Sequence, residues 1–178
     1  MSNGGDDLLF GGSGADTIYG DSNGDETQGG DDSLYGGSDA DYLAGNSGDD
    51  LLVGGAGDDT LIGGLGDDTL TGEAGADSFV FGGVGGPAGE GDDVVTDLAA
   101  AEDRLIFGDV GNQDGDGDID LDDLLMAITG VADGGAGADV TLTFTGGGSA
   151  TFVGVGTGVV TSVVDLVSDS ENQIVIIS

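Results

Sequence analysis

The chain contains no cysteine, no histidine and no tryptophan, one proline, and a single basic side chain, Arg104. Each absence removes a class of chemistry. Without cysteine there is no disulfide and no thiol nucleophile, and without either residue there is no zinc site of the His/Cys type. A Ser-His-Asp triad is likewise impossible. The redox compartment stays undetermined. One cation against 36 acidic side chains excludes nucleic acid as a partner, because phosphate must be neutralised by lysine or arginine. Anionic membranes and polyanionic glycans are disfavoured for the same reason. No apolar run approaches the roughly 20 residues of a membrane-spanning helix. The start, MSNGGDDLLF, lacks the basic-then-apolar order of a cleaved secretory signal.

What is present is acid, glycine and a modest apolar fraction. A formal net charge of -35 over 178 residues repels itself and resists compaction unless counterions gather. Yet 37% of the residues are hydrophobic, enough for a core, and they fall at fixed spacings. Dense oxygen ligands suit hard divalent cations, calcium above all, which take carboxylates and backbone carbonyls.

The spacing is nine. Residues 36–80 read GGSDADYLA, GNSGDDLLV, GGAGDDTLI, GGLGDDTLT and GEAGADSFV without a gap. Position 6 is always aspartate (Asp41, Asp50, Asp59, Asp68, Asp77) and position 8 always large and apolar (Leu43, Leu52, Leu61, Leu70, Phe79). Upstream, residues 11–19 form a unit with Asp16 and Ile18, and residues 2–10 a weaker one with Asp7 and Leu9. Residues 20–35 span 16 positions where two units need 18; Asp25 and Asp32 both fit position 6 there. A strict short period means one unit stacked repeatedly. Positions 1–6 suit a glycine-rich turn with positive φ. Positions 7–9 suit a three-residue strand with position 8 facing inward. The expected fold is all-β, a parallel β-solenoid over residues 1–81, with residues 82–178 as a separate, mainly-β cap. Solvated turn-forming aspartates are the plain alternative, but stacking them would crowd like charges without compensation.

The pattern G-G-x-G-x-D-x-U-x resembles the calcium-binding nonapeptide of RTX (repeats-in-toxin) proteins. That resemblance implies a flattened β-roll with two nonapeptides per coil, so that loops 18 residues apart share an edge. It places Asp41, Asp59 and Asp77 on one edge and Asp32, Asp50 and Asp68 on the other. It also implies that calcium lies between successive loops of one edge, held by both aspartates and by carbonyls of positions 2 and 4 of one loop and 1 and 3 of the next. For the loops at Gly36 and Gly54 these are Gly37, Asp39, Asp41, Gly54, Ala56 and Asp59. For the loops at Gly45 and Gly63 they are Asn46, Gly48, Asp50, Gly63, Leu65 and Asp68. For the loops at Gly54 and Gly72 they are Gly55, Gly57, Asp59, Gly72, Ala74 and Asp77. Asp97 and Asp103, in the segment after the repeats, are further candidate ligands.

Residues 112–123, NQDGDGDIDLDD, resemble an EF-hand or dockerin-like loop. Asn112, Asp114 and Asp116 take positions 1, 3 and 5, with Gly117 at the sharp turn. Asp118 binds through its carbonyl, and Asp120 and Asp123 take positions 9 and 12. Position 12 is the shorter Asp rather than Glu, and no incoming helix is evident. Leu121, Leu124, Leu125 and Ile128 then predict a short amphipathic helix ended by Gly130. Strands are expected at residues 93–97 and 104–107, a hairpin over 139–155, and a last apolar segment at 174–177.

These features predict a calcium-binding, non-catalytic module. The RTX resemblance implies an extracellular, secreted bacterial protein, monomeric, exported by a type I apparatus and folding on calcium. The alternatives are an accessory module of a secreted hydrolase or epimerase, or a repeat module of an adhesin or ice-binding protein. The last would want a regular outward ladder, and position 7 (Leu8, Thr17, Tyr42, Leu51, Thr60, Thr69, Ser78) supplies none.

Overall fold

A computed structural model describes residues 4–21, 29–82, 91–99, 102–108, 127–133, 139–145, 147–154 and 174–177. Its strands are β1 (Leu8–Ser13), β2 (Thr17–Tyr19), β3 (Ser33–Ser38), β4 (Tyr42–Ser47), β5 (Leu51–Ala56), β6 (Thr60–Leu65), β7 (Thr69–Ala74), β8 (Ser78–Phe81), β9 (Asp92–Val95), β10 (Arg104–Gly108), β11 (Ile128–Asp133), β12 (Val140–Phe144), β13 (Ser149–Phe152) and β14 (Ile174–Ile177). From β1 to β10 the chain alternates between two sheets. One is ordered β1-β3-β5-β7-β9-β13-β12-β11 and the other β14-β10-β8-β6-β4-β2. Pairing is parallel throughout the repeats, so the fold is an all-β parallel β-solenoid.

Position 8 builds the core because alternate residues of a strand face opposite sides. Leu34, Leu52, Leu70 and Val95 stack in register on one sheet, and Ile18, Leu43, Leu61, Phe79 and Leu105 on the other, all of them buried. Positions 7 and 9 face outward. Toward the C-terminal end the interior is filled by aromatic rings. Phe81 stacks on Phe107 at 5.4 Å and meets Phe152 edge-on at 6.1 Å, and Phe107 meets Phe144 at 6.2 Å.

Four expectations need correction. First, the strands of the central coils are six residues long, not three: each takes positions 7–9 and the first three positions of the next unit. Position 1 carries no Cβ, so the backbone runs on extended and pairs with the neighbouring coil, as Gly37 with Gly55 and Ser38 with Ala56.

Second, Leu9 pairs with Leu34 and Ile18 with Leu43, a separation of 25 residues where later coils use 18. Residues 20–35 are therefore one nonapeptide with a seven-residue insertion, not two shortened units. Asp25 lies outside the described residues. Third, the roll does not stop at Phe81. β9 stacks on β7, β10 on β8, and β13 and β14 extend the two sheets beyond them. The period fails to announce this because Leu70 and Val95 are again 25 residues apart.

Fourth, the helix expected to end at Gly130 does not reach it. Ile128–Asp133 is strand β11, paired antiparallel with β12; its β-branched Ile128, Thr129 and Val131 suit a pleated surface. Residues 121–126 lie outside the described set. The hairpin is present as β12–β13. Among the described residues no helix is long and apolar enough to cross a membrane.

Candidate metal centre

Stacking the units stacks their aspartates. On one edge the order is Asp7, Asp32, Asp50, Asp68, Asp93, and on the other Asp16, Asp41, Asp59, Asp77, Asp103. In both, each backbone N–H donates to the Oδ1 of the next aspartate along. Asp32 N reaches Asp50 Oδ1 at 2.7 Å and Asp50 N reaches Asp68 Oδ1 at 2.9 Å. Opposite, Asp41 N reaches Asp59 Oδ1 at 2.8 Å and Asp59 N reaches Asp77 Oδ1 at 2.9 Å. The ladders close at Asp7 N to Asp32 Oδ1 and Asp16 N to Asp41 Oδ1 at one end, and Asp68 N to Asp93 Oδ1 and Asp77 N to Asp103 Oδ1 at the other. The edges expected for Asp41, Asp59, Asp77 and for Asp32, Asp50, Asp68 are those observed.

Asp32, Asp41, Asp50 and Asp59 are thus half satisfied, each accepting at Oδ1 only. The Oδ2 atoms of Asp16, Asp32, Asp41, Asp50 and Asp59 are buried without a hydrogen-bond partner. Each points into a small cradle bounded by position 1 glycines. A Cβ built on Gly36 would meet Asp41 Oδ2 at 2.5 Å and the Gly54 carbonyl oxygen at 2.6 Å, and Gly45 stands likewise against Asp50 Oδ2 and the Gly63 carbonyl. Any side chain at position 1 would fill the cradle. Orphaned carboxylate oxygen beside carbonyl oxygen is the donor set that hard cations take, and the residues present fit calcium.

Burial makes the charged state costly. Desolvation pushes the Asp50 carboxyl up to about 8, partly opposed by the Asp32 N–H and reinforced by the charges of Asp68, Asp32 and Asp21. Asp77 is pushed up to about 6 by burial, opposed by the Asp59 N–H and reinforced by Asp103, Asp59 and Asp97. Asp32 and Asp59 are also raised, first by burial. A nearby cation would reverse the sign of this environment.

The remaining expected ligands are spread through the same loops. Gly37, Gly55, Gly48 and Gly57 take positive φ, as do the non-glycine residues Asp39 (φ 73°) and Asn46 (φ 83°). At Gly55 a side chain would strike the Gly37 carbonyl, so glycine is needed for close approach as well as for φ. The Leu65 and Ala74 carbonyls already accept from Gly48 N and Gly57 N at 2.8 Å each; a carbonyl keeps a second lone pair. Ala56 sits exposed at the end of β5, while Gly54, Gly63 and Gly72 occupy position 1 of their units. Asp97 accepts from Gly72 N at 3.0 Å and Glu73 N at 2.8 Å, so it holds a turn of the last complete nonapeptide. Asn112, Asp114, Asp116, Asp118, Asp120 and Asp123 lie outside the described residues. Among the described residues no three acidic side chains converge closely enough to hold an ion by themselves, so carbonyls must supply part of any shell.

Asp93 was missing from the expected ligands, though it extends one ladder as the expected Asp103 extends the other. Asp93 was legible in GDDVV, which repeats the GDDLL of the regular units. Asp103 follows Asp97 after an irregular interval and gave a weaker signal.

Residues 1–26, 26–52 and 53–85 each match the family model described as the RTX calcium-binding nonapeptide repeat (4 copies). Among solved structures the chain is similar to the AlgE6R3 subunit of the Azotobacter vinelandii mannuronan C5-epimerase. The identity is 20%, covering 98% of this chain and 81% of that one, with a TM-score of 0.41. No curated protein matches the chain.

Proposed function

We propose that this RTX module is a calcium-gated folding unit of a secreted bacterial protein, unfolded where calcium is scarce and folded outside the cell. The observation that carries the reading is the pair of aspartate ladders with buried Oδ2 atoms lacking partners. Bound calcium supplies positive charge and oxygen coordination at those atoms. The chain's own part is to present them. Oδ1 is fixed by a backbone N–H, Oδ2 turns into the cradle, and position 1 stays glycine so that carbonyl oxygen lies beside it. Without a cation the same residues are a liability, because buried carboxylates without compensation oppose folding. Binding and folding are then one equilibrium.

The ligands proposed are the position 6 aspartates with the carbonyls named above, extended to Asp93 and Asp103. The loop at residues 112–123 is proposed as a separate site of EF-hand type. Export by a type I apparatus and a monomeric state belong to the same reading. No catalytic role is assigned; any chemistry would reside elsewhere in a longer protein, for which this module is an accessory.

Circular dichroism of the full chain tests the gate. In excess chelator at neutral pH the spectrum is expected to be that of an unfolded chain, with β-structure appearing cooperatively on calcium addition. β-structure already complete in chelator at neutral pH would refute the switch.

A further inference from the structure

Positions 5, 7 and 9 of a unit alternate with the buried positions 6 and 8, so all three stand on the outer side of their sheet. On the sheet that holds β1, β3, β5, β7 and β9, position 7 reads Leu8, Ser33, Leu51, Thr69 and Val94, and position 9 reads Phe10, Tyr35, Val53, Thr71 and Thr96. No charge interrupts these two columns. Their first rungs are apolar. Leu8 is 62% exposed and Phe10 68%, and Phe10 stacks on Tyr35 with ring centroids 5.0 Å apart. Leu51 and Val53 continue the patch as half-buried neighbours. In a chain of net charge -35, an aromatic ring and a leucine left in water side by side mark a contact surface.

Position 5 borders this patch with acid. Asp6, Asp31, Asp49, Asp67 and Asp92 all stand exposed, one per rung of the sheet. A backbone N–H from the next rung fixes one oxygen of each of the first four, from 3.2 Å for Asp31 N on Asp6 Oδ1 to 2.8 Å for Asp92 N on Asp67 Oδ1. The row is therefore held in place. It repeats with the strand spacing of about 4.8 Å and so runs about 19 Å from Asp6 to Asp92. The opposite sheet differs on both counts. Its position 5 reads Ala15, Ala40, Asp58 and Ala76, and its β10 carries the chain's one basic side chain, Arg104, exposed.

We propose that the outer face of the β1-β3-β5-β7-β9 sheet docks a cationic amphipathic helix, aliphatic where it meets Leu8, Phe10, Tyr35, Leu51 and Val53 and basic where it meets the position 5 acids. Charge selects this occupant. A second copy of the chain would bring its own net charge of -35, and an anionic surface would be repelled likewise. Spacing selects the helix. Laid along the roll, a helix advances about 5.4 Å per turn, close to one rung, so one lysine or arginine per turn finds one aspartate per rung, and about 13 residues cover the row. An extended peptide places same-side residues about 6.7 Å apart and falls out of step. The face exists only in the folded roll, so the proposal rests on the calcium reading for when the surface is displayed.

The test is fluorescence anisotropy of the labelled peptide LKKLLKLLKKLLKL against the full chain in saturating calcium, with circular dichroism confirming β-structure. This peptide is expected to bind, a scrambled peptide of the same composition about tenfold more weakly or worse, and the glutamate analogue LEELLELLEELLEL not at all. The double variant Leu8→Ser and Phe10→Ser changes exposed residues only and should weaken binding by about tenfold. Asp49→Asn with Asp67→Asn keeps the acceptor oxygens of the row; it should weaken binding severalfold and flatten its salt dependence. Asp58→Asn, on the other edge, should leave binding unchanged. Folded protein that binds the scrambled peptide equally well, or whose Leu8→Ser and Phe10→Ser variant binds as the wild type does, overturns the proposal and leaves the calcium reading intact, since charge alone then accounts for the contact. A chain that stays unfolded in calcium overturns that reading and the proposal with it.

Discussion

A position 6 aspartate in this roll answers two opposed demands. Its Oδ1 accepts a backbone N–H from the neighbouring coil and so knits the stack. In Asp32, Asp41, Asp50 and Asp59 the Oδ2 is buried with no proton donor to meet it. Protonation relieves the second demand where no cation does, which gives a pH dependence of definite sign. Burial raises Asp77 to about 6 and Asp50 to about 8 from an ordinary 3.8. The folded, metal-free roll therefore holds protons that the unfolded chain releases near pH 4. Stability from these two groups is fully present below that point, and it is lost as pH rises through about 6 and then about 8. In metal-free buffer the β-signal should accordingly be larger at pH 5 than at pH 9, while the apparent calcium affinity should fall as pH drops below 6. A metal-free signal that grows with pH would contradict the structure. The ladders were legible because Asp recurs in phase with leucine.

At the level of the element, the strands are held by what position 8 buries. Leu61 is fully buried between Leu43 and Phe79 on its own sheet, whereas Thr60, next to it, faces outward. In saturating calcium, Leu61→Ala should cost about 2–5 kcal/mol and Thr60→Ala within about 0.5 kcal/mol, as read by denaturant unfolding. Equal costs would mean that the interior ladder is not the source of stability. Existence and direction of these strands followed from the period. Their true length did not, since glycine in a sequence signals a turn, while here the position 1 glycines extend the strand by lying flat against a neighbour. Register across residues 20–35 was misread for a related reason. Asp25 matches position 6 in the sequence, and only the pairing of Leu9 with Leu34 decides that two nonapeptides, not three, separate them. Nor did anything in residues 82–91 announce that β9 and β10 resume the stack.

At the scale of the molecule, the outer acids among the described residues also make a ladder, but on one edge. Asp31, Asp49, Asp67 and Asp92 follow one another at position 5, with Asp49 N donating to Asp31 Oδ1 at 3.0 Å and Asp67 N to Asp49 Oδ1 at 2.9 Å. These bonds point the opposite way along the stack from those of position 6, so coils are clasped from both sides. The counterpart positions on the other edge are Ala15, Ala40, Asp58 and Ala76. The described residues therefore form an acidic edge and a plainer one, joined by two sheets whose outer faces carry little charge.

The unequal coils have a mechanical consequence. Every coil is tied only to the coils beside it, so tension applied to the two ends loads one layer at a time. An 18-residue coil freed from the stack pays out about 60 Å of chain, and a 25-residue coil about 85 Å. Stretched in calcium between an optical trap and a surface, the protein should lengthen in discrete steps of these two sizes, with the long steps coming from the first coil and from the one spanning Leu70 to Val95. Removing calcium should abolish the staircase and leave a smooth entropic spring. The irregularities that blur the repeat on paper would then be the marks by which each layer is recognised as it lets go.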